Sequence, residues 1–105
     1  MDVALKAIAN PHRREILRLI GGAELSVGQI AERFDVTRPA VSQHLSVLKE
    51  AGLVEERRDG TRRLYRANTN GLADLREFLD QFWGERLEAL KREAEREEEQ
   101  RGKHG

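Results

Sequence analysis

Ser26-Val27-Gly28-Gln29-Ile30-Ala31-Glu32-Arg33-Phe34-Asp35-Val36-Thr37-Arg38-Pro39-Ala40-Val41-Ser42-Gln43-His44-Leu45 is the stretch that decides how this chain folds. It reads as two short helices and a turn. Ser26 and Gln29, three residues apart, match a capping box, in which each side chain satisfies an amide that the first helical turn leaves without a partner. Behind that cap, Val27, Ile30, Ala31 and Phe34 are expected to point inward. Asp35-Val36 interrupt the pattern. Thr37 can cap a second helix, and Pro39 is tolerated in its first turn, where no intrahelical amide is lost. That helix is expected to run to about Ala51, with Gly52 supplying a left-handed exit. Two helices joined in this way make a helix-turn-helix.

Working outward toward the C-terminus, Leu53-Val54-Glu55-Glu56-Arg57-Arg58 and Arg62-Arg63-Leu64-Tyr65-Arg66 flank Asp59-Gly60. Asp-Gly between strand-like segments signals a hairpin, expected here as a type I′ turn with two positive φ angles. A hairpin directly after a helix-turn-helix is a wing. From Leu72 the helical period returns, with Leu75, Leu79, Phe82, Trp83, Leu87 and Leu90 three or four apart. This stripe is longer than a domain of about 70 residues needs to cover itself, so the surplus predicts a partner helix. Beyond Leu90 ten of the fifteen residues are charged and none is a large apolar one, and residues 91–105, His104 among them, are expected to fray or be disordered.

Toward the N-terminus, Asn10-Pro11 reads as a helix start, followed by the apolar stripe Ile16, Leu17 and Ile20 and a stop at Gly21-Gly22. A short helix before it is expected to bury Val3, Ala4, Leu5 and Ile8. The fold class is therefore mainly α with a small β-hairpin wing, a winged helix-turn-helix of order α-α-α-α-β-β-α. One domain is expected over residues 1–90, its last helix starting at about 71, with the charged tail after it.

Composition narrows the function. A chain of 105 residues has room for one core. It holds no cysteine, which excludes disulfides and thiolate metal sites. No apolar run approaches the roughly 18 residues of a membrane span, and Arg13, Arg14, Glu15 and Arg18 interrupt any signal-peptide pattern at the start. A cytoplasmic protein is expected. Net charge is zero, but it is unevenly placed: residues 1–70 hold 12 Lys and Arg against 9 Asp and Glu, and residues 71–105 hold 7 against 10. The basic excess is sharpest across residues 36–66, and such local clustering matters more to nucleic-acid binding than the total.

With these motifs in place, the chain resembles the arsenic-repressor (ArsR/SmtB) family of winged-helix regulators. The resemblance spans roughly Ala7 to Tyr65. It rests on Ala9-Asn10-Pro11-His12-Arg13 with Ile16-Leu17, Glu24-Leu25-Ser26-Val27-Gly28-Gln29-Ile30, Val41-Ser42-Gln43-His44-Leu45, Leu48-Lys49-Glu50-Ala51-Gly52-Leu53-Val54, Asp59-Gly60 and Tyr65. Each motif is weak alone, and the ordered series is specific. The resemblance implies a homodimer joined through the first and last helices, and repression relieved by a ligand. Val3, Leu5, Leu75, Leu79, Phe82, Trp83 and Leu87 are the dimer contacts expected on that basis.

Rotation at about 100° per residue resolves the second helix of the motif. Val41, Leu45 and Leu48 fall on the core side. Thr37, Arg38, Pro39, Ser42, Gln43, Ser46 and Lys49 lie toward the other, where a recognition helix meets the major groove. Arg38 suits guanine and Gln43 adenine, each by a bidentate pair. The bland reading is a solvated polar face. Arg57, Arg58, Arg62 and Arg63 flank the wing turn. Strand alternation sends about half of them toward phosphate and leaves the rest to pair with Glu55, Glu56 or Asp59. His44 falls beside the buried stripe and is expected to pack or hydrogen-bond, with phosphate contact as the alternative. His12 is expected at the surface.

Metal-sensing relatives carry cysteines in the segment occupied here by Ser26 and Gly28, and neither residue replaces a thiolate. Other relatives bind zinc between their last helices; Thr69, Gly71, Phe82 and Glu85 stand there, which cannot complete a tetrahedral site. No metal and no cofactor is expected. Phe78, Phe82 and Trp83 read either as dimer core or as the lining of a pocket for a small-molecule effector. No nucleophile, phosphate loop or His/carboxylate constellation points to an enzyme. The expected function is a sequence-specific DNA-binding regulator, a dimeric repressor or autorepressor at an inverted-repeat operator. The alternative is a winged-helix protein-interaction module that does not bind DNA, which predicts acidic or apolar residues on the groove face.

Overall fold

Asn10 caps a helix as its position requires, its side-chain oxygen accepting from the amides of His12 (2.8 Å) and Arg13 (3.3 Å) while Pro11 fills the first helical position. The computed structural model describes residues 1–104, with side chains through residue 102. The elements are α1 (Asp2–Ile8), α2 (Pro11–Ile20), β1 (Leu25–Ser26), α3 (Val27–Glu32), α4 (Arg38–Glu50), β2 (Val54–Asp59), β3 (Arg62–Ala67) and α5 (Thr69–His104). The order matches the expected one apart from β1, which pairs with β3 to make a three-stranded antiparallel sheet, β1-β3-β2. Two residues are too few to show a period of two, and Ser26 already serves as the cap of α3, so this strand has no signal of its own in the sequence.

The caps hold as read. Ser26 and Gln29 exchange both bonds of the capping box, at 3.2 and 2.9 Å. Thr37 Oγ1 accepts from the Ala40 amide at 3.3 Å, and Gly52 turns the chain out of α4 with φ +76°. The wing turn differs from the expectation. Asp59 pairs with Arg62, so the two-residue loop is Gly60-Thr61, and among the described residues positive φ occurs only at glycines. With Gly60 at φ +65° in the first central position, this is the type II′ pattern, not type I′. Asp59 has moved into the strand because the two strands need only glycine's freedom at one position to keep their twist.

The core of residues 1–75 is formed by Ile16, Ile20, Ile30, Val41, Leu45, Leu48 and Leu53, all essentially inaccessible, with Leu25, Val54, Leu64, Tyr65 and Leu75 closing its edges. Each such side chain contributes about 1.5–3 kcal/mol by leaving water. Helix α1 corrects the expectation: it buries Ala4 and Ala7, while Leu5 and Ile8 are half-buried and Val3 is exposed. It packs against both α2 and α4, and the small residues face that contact. Arg13 Nε and Nη2 donate to the carbonyls of Ala7 and Lys6 (2.7 and 3.1 Å), and Arg14 Nη1 to that of Ile8 (2.8 Å), so two arginines of α2 satisfy the end of α1.

The chain divides into two compact units, Met1–Leu75 and a second beginning at Arg76. This boundary lies inside the last helix. In the first unit Asn68 Oδ1 accepts from the amides of Asn70 and Gly71 (3.1 and 3.3 Å), starting α5. Gly71 is needed there, because a Cβ on it would lie 1.9 Å from the Gly52 carbonyl oxygen. In the second unit the helix is continuous to His104, across the stretch expected to fray; every side chain described after Leu90 is exposed, and Gly105 lies outside the described residues. Glu88 with Arg92 and Glu97 with Arg101 stand four apart, the spacing at which opposite charges support an exposed helix.

Candidate nucleic-acid interface

Helix α4 is amphipathic in the way its rotation predicts. Val41, Leu45 and Leu48 are buried, and Thr37, Arg38, Pro39, Ser42, Gln43, Ser46 and Lys49 are exposed. Three of those exposed residues are engaged by the protein itself: Thr37 as the cap already described, Lys49 and Arg38. Lys49 Nζ donates to Glu56 Oε2 at 2.8 Å, tying the end of α4 to the wing. That hydrogen bond, reinforced by the Lys49, Arg63 and Arg58 charges, holds the Glu56 carboxyl below its ordinary value against the opposing effect of its partial burial. Arg38, at the first position of α4, sends its guanidinium back over α3: a Cβ on Gly28 would stand 3.0 Å from Arg38 Nη2 and 3.1 Å from Cζ. A side chain at a helix start leans toward the N-terminus, which is why it reaches α3 rather than lying along the face of Ser42, Gln43 and Ser46.

The four wing arginines do not behave alike. Arg57 Nε and Nη2 donate to Glu24 at 3.0 and 3.4 Å, bracing β2 against the residue before β1. That carboxylate stabilises the charged guanidinium. Arg63 shares Glu56 with Lys49, at 3.4 Å. Arg58 and Arg62 have no ion-pair partner among the described residues. The pairing expected with Glu55 is made by Arg66 instead, at 2.9 Å, because Glu55 and Arg66 are register partners on one face of the ladder. Arg62 and Arg63 both line an open groove with Arg38 and residues 26–29 and 32. These pairs span elements, and nothing in the spacing of the residues reveals Glu24 as the partner of Arg57.

His44 is half-buried on α4, and its ring stacks on that of exposed His12 from α2, with centroids 5.8 Å apart and planes at 25°. Burial first, then the nearby Arg13 and His12 charges, hold the His44 imidazole below its ordinary value. The histidine thus fills a packing position between α2 and α4.

A sequence model of a helix-turn-helix domain matches residues 8–57. The chain is 50% identical over 82 residues to the helix-turn-helix transcriptional regulator Rv2034 of Mycobacterium tuberculosis, covering 78% of this chain and 77% of that one. Over 80 residues this chain is 31% identical to the arsenical resistance operon repressor of Staphylococcus xylosus, across 76% of this chain and 77% of that protein. The chain belongs to the ArsR family of transcriptional regulators. It is also 40% identical over 82 residues to the transcriptional repressor SdpR of Bacillus subtilis, across 78% of this chain and 91% of that protein. Among solved structures it is similar to the homodimeric winged helix-turn-helix DNA-binding domain of a Mycobacterium bovis protein described as a possible ArsR-family regulator. That match has 36% identity and a TM-score of 0.66, covering 80% of this chain and 78% of that one. The ArsR-family member described here is a DNA-binding transcriptional regulator, and its family is one of regulators rather than enzymes.

For this regulator the expected dimer residues are spread over both units. Leu75 is only 5% exposed and belongs to the core of its own chain, while Val3 is exposed and Leu5 half-buried in the first unit. In the second unit Leu79 is half-buried and Phe82, Trp83 and Leu87 are 46%, 48% and 60% exposed. Phe78 stacks on Phe82 at 5.9 Å, Trp83 meets Phe82 edge-on at 5.0 Å, and the Arg86 guanidinium lies over both rings. No three His, Cys, Asp or Glu residues stand close enough to hold a metal among the described residues, and no helix there is long and apolar enough to cross a membrane.

Proposed function

We propose that this regulator acts in the cytoplasm as a homodimeric repressor, or autorepressor, at an inverted-repeat operator. The observation that carries the reading is the exposed face of α4. It holds Ser42, Gln43 and Ser46, hydrogen-bonding side chains of the kind that read base edges, with no acidic residue in that run, and Arg62 and Arg63 of the wing share a groove with Arg38 at its start. Gln43 reads adenine in this scheme, and Arg58 and Arg62, which have no partner among the described residues, meet phosphate. Homodimerisation is supported by the exposed apolar residues Phe82, Trp83, Leu87 and Leu90, a seam that a second copy would cover. Two-fold symmetry then calls for an inverted repeat. Residues 1–90 carry both activities, and truncation after Leu90 leaves them intact.

The signal that relieves binding is not a metal in this reading, since Ser26, Gly28, Thr69, Gly71, Phe82 and Glu85 supply no ligand set at the positions where relatives coordinate one. Selection from random duplexes, followed by gel shift, tests the whole proposal. An enriched inverted repeat bound by a dimer, unaffected by zinc, is expected. A protein that binds no duplex would instead be a winged-helix protein-interaction module, and release of DNA by zinc would overturn the metal-independent reading.

A further inference from the structure

We propose that Arg38, Arg62 and Arg63 form a clamp for one DNA backbone phosphate, and that Gly28 is the positioning residue that holds Arg38 in it. This rests on the DNA-binding reading above and changes the role of Arg38 within it, from reading a base to gripping the backbone. The three guanidinium-bearing side chains line one open groove between α3, the start of α4 and the wing. Glu32 is the carboxylate in that groove, and Arg63 shares a second carboxylate, Glu56, outside it. Arg38 and Arg62 have no ion-pair partner among the described residues. Positive charge therefore exceeds negative in the groove of the free protein, and an anion would relieve it. The planar fork of arginine matches the paired oxygens of a phosphodiester.

Gly28 explains why Arg38 is available at this spot. Its missing Cβ leaves the space that the guanidinium occupies, with Nη2 and Cζ only 3.0 and 3.1 Å from where a Cβ would stand. The contact is with the far end of a flexible side chain. An added methyl would push the guanidinium aside and leave the fold in place, since alanine is the better helix former. Glycine inside the six-residue α3 stands, against local helix propensity, at the point where Arg38 rests.

The test compares wild type with Gly28→Ala, Arg38→Ala and the double variant, binding a selected operator duplex and a mixed-sequence duplex across salt concentrations. Gly28→Ala is expected to melt no lower than wild type and to weaken binding to both duplexes alike. Its salt slope should fall, by up to about 0.9, the value for complete loss of that one phosphate contact. Arg38→Ala should do the same, and the double variant should bind no worse than Arg38→Ala, because both changes remove one contact. If Arg38→Ala relaxes preference at a single base pair with an unchanged salt slope, Arg38 reads a base and the clamp is wrong. Unaltered binding by Gly28→Ala removes the positioning role. A wild-type protein that binds neither duplex overturns the DNA-binding reading itself, an outcome distinct from the other two.

Discussion

Helix α4 and the part of α5 beyond Leu75 are written with the same apolar period, yet the first hides its stripe and the second does not. Val41, Leu45 and Leu48 are at most 1% exposed, whereas Phe82, Trp83, Leu87 and Leu90 range from 46% to 62%. In α4 the stripe meets α1, α2, α3 and β2 of the same chain. Beyond Leu75 the aromatic residues meet one another and Arg86, contacts local to one helix. Periodicity reports that a face must be covered. It does not report which chain covers it. The two stripes should therefore respond differently to the same kind of mutation.

The largest contrast is expected from truncating one leucine in each. Leu48→Ala should cost about 2–5 kcal/mol of unfolding free energy, since its cavity sits in a core with little room to collapse. Leu87→Ala should cost the first unit nothing, as followed by urea unfolding monitored at the single tyrosine, Tyr65, in the sheet. Equal losses would mean that both stripes belong to one cooperative core, and the contrast would be gone.

Next comes the association that the second stripe is proposed to serve. Phe82→Ala with Trp83→Ala should raise the dimer dissociation constant at least about 30-fold, the equivalent of one interfacial hot spot of ~2 kcal/mol, in sedimentation equilibrium. Wild type that sediments as a monomer at micromolar concentration would leave those aromatics without a role and break the comparison.

Smaller effects sharpen the description of the first unit. Ser26→Ala removes one arm of the capping box that starts the six-residue α3. About 1 kcal/mol should be lost in thermal or urea unfolding. A loss of a few tenths would mean that packing of Ile30 alone fixes this helix.

The smallest effect is on pH dependence. Because burial and the Arg13 and His12 charges lower the folded-state pKa of His44, the unfolded chain binds a proton that the folded one resists. The histidine's contribution is full above about pH 6.5 and is lost as pH falls through its folded-state value. His44→Gln should flatten that slope between about pH 7.5 and 5. A slope that persists unchanged assigns it to other groups.

Much of the first unit is legible before any coordinates. Asn10, Ser26 with Gln29, and Thr37 mark three helix starts, and Gly52 and Gly60 take positive φ as read, although the second positive φ expected at the wing turn is absent among the described residues. These are local rules, satisfied by neighbours within four residues, so spacing suffices to find them. Val41, Leu45 and Leu48 follow from rotation alone. The wing arginines were legible only as a group: that Arg57 belongs to Glu24, 33 positions away, depends on β1 lying beside β3.

The sequence by itself determined the helix-turn-helix, its caps, the buried face of α4 and the family of regulators to which the chain belongs. These depend on residue type and on periods of two and 3.6, which survive in a linear text. Tertiary structure alone decided which arginines are already paired, that Arg38 lies over Gly28, that Leu75 closes the core, and that Gly71 meets the Gly52 carbonyl. Each of those needs two distant segments within a few ångströms of each other. Charge and shape at a contact depend on that meeting, and no local pattern encodes it.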